Sequence, residues 1–124
     1  MERNYYLCAF DRAFNATPET RRASLEHWKT IHAENKKNNR FDLIIFSAGN
    51  IRAIKTADNL NMYLDFSGMD ANFEKTRAGY KLEILNGETV YFYSVRAIEN
   101  FVNAELSEIS PDDWQEFIEQ FYTK

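Results

Sequence analysis

Tyr80 to Tyr93, YKLEILNGETVYFY, sets Asn86-Gly87 between two runs that alternate apolar and polar residues, the strongest short-range signature of a β-hairpin. A two-residue loop would pair Leu85 with Glu88 and would put Lys81 and Glu83 on the face of Val90 and Phe92. A three-residue loop Leu85-Asn86-Gly87, closed by a left-handed Gly87 in a G1 bulge, pairs Ile84 with Glu88, Leu82 with Val90 and Tyr80 with Phe92. Strand side chains alternate in direction, so a slip of one residue exchanges the two faces. Only the second register gathers Tyr80, Leu82, Ile84, Val90 and Phe92 on one side and leaves Lys81, Glu83, Thr89, Tyr91 and Tyr93 on the other. The hairpin is expected to pack its apolar side on a core and to carry Tyr91 and Tyr93 outward.

Downstream, Ser94 is placed to cap a helix from Val95 to about Leu106, with Val95, Ile98, Val102 and Leu106 along one face. Ser110-Pro111-Asp112-Asp113 then supplies a hydroxyl cap, a proline that needs no hydrogen-bond partner, and two acids at the positive helix end. In the helix that follows, Trp114, Phe117, Ile118 and Phe121 fall at i, i+3, i+4 and i+7, which turns Asp112, Asp113, Glu116, Glu119 and Gln120 outward.

Upstream, Asn4 to Asp11 reads as an aromatic-rich inner strand, with Cys8 a small buried hydrophobe. Thr17-Pro18-Glu19 starts a long helix to about Lys37, whose apolar stripe is Leu25, Trp28, Ile31 and His32. Phe41 to Phe46 is apolar on both faces and reads as a central strand. Gly49-Asn50 is read as a turn, Ile51 to Ala57 as a strand in preference to a short helix, Asp58-Asn59 as a second turn, and Leu60 to Phe66 as a half-buried strand. Ser67 to Gly79 is read as a loop, with one helical turn near Asn72 to Thr76. The expected class is α+β: an antiparallel sheet of five or six strands, one long helix after the first strand, and two C-terminal helices.

The length of 124 residues corresponds to a single domain spanning 1–124. Met1 to Phe10 lacks the apolar run of a signal peptide, no stretch is long enough to span a bilayer, and Cys8 has no second cysteine to pair with. The expectation is a soluble, cytoplasmic protein without a membrane. Net charge is −4, unevenly spread: residues 1–55 carry ten basic and six acidic side chains, residues 56–124 five and thirteen. Between Ala97 and Thr123 stand Glu99, Glu105, Glu108, Asp112, Asp113, Glu116 and Glu119, with no lysine or arginine.

Catalytic signatures are missing: there is no phosphate-binding loop, dinucleotide fingerprint, zinc-binding helix, Cys-x-x-Cys or nucleophile elbow. His27 and His32 lie five apart, about 140° around a helix, so they cannot share a metal ion as i and i+4 histidines do. No cofactor or metal is expected. His32, inside the apolar stripe, is read as a packed histidine with one hydrogen bond, and a nucleophile pair with Cys8 is set aside.

Three functional classes follow. The first is a non-catalytic domain that binds another protein with a basic surface through Glu105, Asp112, Asp113, Glu116, Glu119, Tyr91 and Tyr93. Small acidic proteins of that kind serve mobile elements as inhibitors that occupy a basic nucleic-acid channel, as anti-CRISPR and antirestriction proteins do; the analogy is one of kind. The second is a nucleic-acid binder using Arg22, Lys29 and Lys36, which recur every seven residues, with Arg40 extending the row if the helix continued; the overall negative charge disfavours it. The third is an enzyme without a recognisable motif.

Overall fold

The computed structural model describes residues 10–123. Its elements run α1 (Phe10–Phe14), α2 (Pro18–Lys37), α3 (Phe41–Phe66), β1 (Ala71–Lys75), β2 (Tyr80–Ile84), β3 (Thr89–Phe92), α4 (Val95–Leu106) and α5 (Pro111–Thr123). The class is α+β, but among the described residues there are three strands, not five or six, in one antiparallel sheet ordered β1-β2-β3. The described residues divide into two compact units whose boundary falls between Asp58 and Asn59, within α3.

In the first unit, α2 begins where its cap dictates: Thr17 Oγ1 accepts the amide of Thr20 at 3.1 Å, and Pro18 takes the first helical position. It ends in a Schellman motif with asparagine as the left-handed residue. Asn39 has φ 54°, Arg40 N donates to Asn35 O at 3.0 Å and Asn39 N to Lys36 O at 3.2 Å. The side of α2 that is fully buried consists of Arg21, Ser24 and Trp28, while Leu25, Ile31 and His32 of the expected stripe are half-buried. His32 has the expected single bond, 2.7 Å from Nδ1 to Ser47 Oγ, and Trp28 packs edge-on against Phe46 at 5.6 Å between centroids.

The largest correction is α3. Phe41 to Phe46, Ile51 to Ala57 and Leu60 to Phe66, expected as three strands, are one helix of 26 residues, and both expected turns, Gly49-Asn50 and Asp58-Asn59, lie inside it. Its buried residues are Ser47, Asn50, Ala53, Ile54, Thr56, Ala57, Leu60, Met62 and Leu64, most of them at helical spacing, and the first two are polar. Phe41 and Ile45, which made the segment look like a strand apolar on both faces, are 72% and 74% exposed. The expected first strand, Asn4 to Asp11, lies outside the described residues except Phe10 and Asp11, which open α1. Cys8 lies outside them as well.

In the second unit, the hairpin takes the expected register: Tyr80 faces Phe92, Leu82 faces Val90, and Ile84 N donates to Glu88 O at 3.1 Å. The left-handed residue is Asn86, φ 63°, not Gly87; Gly87 N closes the turn on Ile84 O at 3.0 Å, the pattern of a type II turn with asparagine third. Strand β1 occupies the stretch expected as a loop and pairs Phe73 with Leu82 and Lys75 with Tyr80. One large apolar residue, Phe73, was too little to show alternation. Leu82 is fully buried, and Ile98 and Val102 of α4 are buried too, with Phe101 set edge-on to Phe92 at 5.5 Å. Ser94 caps α4 as expected, accepting Ala97 N at 3.3 Å.

Candidate functional site

Helix α5 carries the acidic surface. At about 100° per residue, Asp112, Asp113, Glu116 and Glu119 fall within an arc of about 120°, and Trp114, Phe117 and Ile118 within one of about 100° on the other side. The four acids are exposed and the three apolar residues half-buried. That apolar side meets the last turn of α3: Phe66 lies 5.6 Å from Trp114 and 5.4 Å from Phe117, both edge-on, while Trp114 and Phe117 stack on each other at 5.6 Å. The aromatic contacts thus hold the helix by one side and present its carboxylates on the other.

The charges of α5 have two different local consequences. Asp112 and Asp113 stand in the first turn, where the unpaired amides and the helix dipole favour an acid. Glu116 and Glu119 gain nothing of the kind. The last turn holds no basic residue, and the i, i+3 and i, i+4 neighbours Asp112, Asp113, Glu116 and Glu119 repel one another at roughly 0.2–0.5 kcal/mol per pair.

Glu105 does not join this row. It is half-buried on α4 and accepts a hydrogen bond from the Tyr63 hydroxyl at 3.0 Å, beside an edge-on contact of Tyr63 with Phe101 at 6.5 Å. Burial first, then the hydrogen bond and the charge of Glu105, raise the pKa of the Tyr63 phenol above 10.0. Tyr63 therefore belongs to this half-buried contact with Glu105 and Phe101.

The outer face of the sheet is open. Asn72, Glu74, Glu83, Thr89, Tyr91 and Tyr93 are exposed, the two tyrosines by 71% and 89%. Lys81 reaches across it to Glu74 at 3.3 Å. Where the β1–β2 turn meets the end of β3, Thr76, Ala78, Tyr80, Tyr91, Phe92 and Tyr93 line a recess of about 170 Å³. Tyr80 stacks on Phe73 at 5.4 Å, and Lys75 Nζ stands 5.2 Å from the Tyr80 ring centroid. The turn can close this tightly because of Gly79, φ 157°: a Cβ there would run into the carbonyl of Phe92.

The basic row of the first long helix is exposed at Arg22, Lys29 and Lys36. Lys29 is drawn to Glu26 at 3.8 Å, and Arg40 follows the Schellman turn instead of extending the helix, so the row stops one member short. The arginine that sequence reasoning passed over is Arg21, one residue away and 2% exposed. Among the described residues no group of three His, Cys, Asp or Glu side chains is placed to hold a metal ion, and no helix is long and apolar enough to cross a membrane. No protein-family model, curated protein or solved structure matches the chain.

Proposed function

We propose that this chain is a small protein-binding domain whose docking surface is the outer side of α5, with Asp112, Asp113, Glu116 and Glu119 meeting a basic surface on another protein. The observation that carries the reading is the placement of Glu116 and Glu119: exposed, beyond the reach of the favourable helix end, and set among like charges that cost stability. Solubility alone asks for dispersed charge of both signs, whereas a one-sign row on a supported helix steers a partner of opposite sign. A cationic groove that ordinarily holds nucleic acid is the partner surface such a row suits best, and occupying it makes the domain an inhibitor. The exposed Tyr91 and Tyr93 add rigid contact area of the type that interfaces favour.

The test compares affinity capture from an extract of the cells that make the protein, using the native chain and the variant Asp113→Lys, Glu116→Lys, Glu119→Lys. A partner retained by the native chain and lost from the variant, with both showing the same circular dichroism, supports the proposal. The same partners retained in equal amount by both would contradict it.

A further inference from the structure

The first half of α3 leaves one side uncovered. Phe41 and Ile45 are 72% and 74% exposed, and Ala48, Arg52 and Lys55 are exposed as well. At about 100° per residue these five fall within an arc of about 80°. Ser47, Asn50, Ile54 and Ala57, all buried, occupy the opposite side, where Ser47 meets His32 of α2. At Gly49, beside the exposed row, an added Cβ would meet nothing within 4 Å, so the surface is open there too. Members of the row follow one another by steps of four, three, four and three residues, the alternation that keeps a seam facing a second helix in a coiled coil. It runs for about 21 Å, nearly four helical turns. Its chemistry changes along the way: Phe41, Ile45 and Ala48 are apolar, Arg52 and Lys55 cationic, and the arc holds no acidic residue.

We propose that this face docks an amphipathic helix of another protein, with apolar residues against Phe41, Ile45 and Ala48 and carboxylates against Arg52 and Lys55. The apolar half buries surface, the small Ala48 lets the two helices come close, and the cations fix which end of the partner lies where. A second copy of the chain does not supply the match. Parallel pairing of the seam with itself would set each cation on its own counterpart, and antiparallel pairing would set Phe41 and Ile45 against cations. Helix α5 of another copy, acidic along its outer side, has nothing to offer Phe41 and Ile45. A lipid surface is served by an apolar row with cations on its flanks, whereas Arg52 and Lys55 continue the line of the row itself. The face uses no residue of α5 and is a site separate from the acidic docking surface.

The experiment titrates the isotopically labelled full chain with designed helical peptides of about three heptads. One peptide carries leucine at the facing positions of one half and glutamate at those of the other; a second has lysine in place of glutamate. Each is made with its apolar half first and with its apolar half last, because the seam admits both directions. The expected result is saturable shifts of the amides of residues 41–55 with the glutamate peptide in one direction, and affinity lowered at least about tenfold by Ile45→Ser. The double variant Arg52→Glu, Lys55→Glu should lose the glutamate peptide and gain the lysine peptide, an exchange that unfolding does not produce. All three positions are exposed, so the fold tolerates the changes. The variant Asp113→Lys, Glu116→Lys, Glu119→Lys should bind the glutamate peptide as the native chain does, which keeps failure of this face distinct from failure of the α5 surface. Absence of saturable shifts with every peptide, or equal affinity of the native chain for the glutamate and lysine peptides, would overturn the proposal. So would self-association of the native chain that Ile45→Ser abolishes, or tighter binding to phosphatidylserine vesicles than to the glutamate peptide.

Discussion

Arg21 and Asp58, 37 residues apart in sequence, are joined by a 2.5 Å contact from Nε to Oδ1, with the arginine 2% exposed and the aspartate 14%. The same guanidinium donates through Nη1 to the carbonyls of Ala13, Phe14 and Ala16, at 3.2, 3.4 and 2.6 Å. It therefore caps the C-terminal end of α1, ties it to α2, and pairs with a carboxylate of α3. Arg21→Ala removes a partner from that carboxylate and from three carbonyls together, and a loss of about 3–5 kcal/mol is expected in urea unfolding. Arg21→Lys should recover only part of it, because an ammonium lacks the planar fork. A loss of less than about 1 kcal/mol for the alanine variant would reduce the pair to the rank of a surface ion pair.

The hairpin register makes a second prediction. Leu82 is fully enclosed between Phe73 and Val90 on the inner face, whereas its neighbour Lys81 lies on the outer one. Leu82→Ala should cost about 2–5 kcal/mol, the range of buried large-to-small changes. Lys81→Ala should shift the denaturation midpoint far less. Equal shifts would refute the register.

Tyr63 predicts a pH dependence. Its phenol is held neutral by burial and by the Glu105 carboxylate, so its native pKa lies above the unfolded value of 10.0. A group raised on folding contributes its stabilisation in full below the unfolded pKa and loses it as pH rises through the native one. The stability advantage of the native chain over Tyr63→Phe should therefore be constant up to about pH 10 and shrink above it. An advantage that grows in alkali would contradict the assignment.

These elements also show how far the sequence was legible and where it misled. The hairpin, α2, α4 and α5 were readable because each has a cap or turn residue at its boundary and apolar residues on one side only: Thr17 and Pro18, Asn86, Ser94, Pro111. Helix α3 was not, because hydrophobicity and burial part company along it. Phe41 and Ile45 are exposed while Ser47 and Asn50 are buried, so its first half shows no apolar stripe and Gly49-Asn50 resembles a turn. Of the candidate site, the exposed acids of α5 followed from helical spacing. The withdrawal of Glu105 required knowing that Tyr63 lies beside it, a contact across 42 residues. The recess required β1, whose single large apolar residue concealed a strand.

The like charges on α5 predict a trade between stability and binding. Glu116 stands four residues from Asp112 and three from both Asp113 and Glu119, so Glu116→Lys replaces each repulsion by an attraction. The variant should melt a few degrees higher than the native chain while binding its partner less well. A lower melting temperature would mean that Glu116 has a structural role.

The most direct test of the acidic docking surface is the association rate of the captured partner with the native chain and with the Asp113→Lys, Glu116→Lys, Glu119→Lys variant, measured across a salt series. The native rate should fall steeply as salt rises, the variant should associate at least about tenfold more slowly at low salt, and the two should converge at high salt. Equal rates at every salt concentration, with both proteins folded, would show that the outer side of α5 is a solvated surface and not the site of docking.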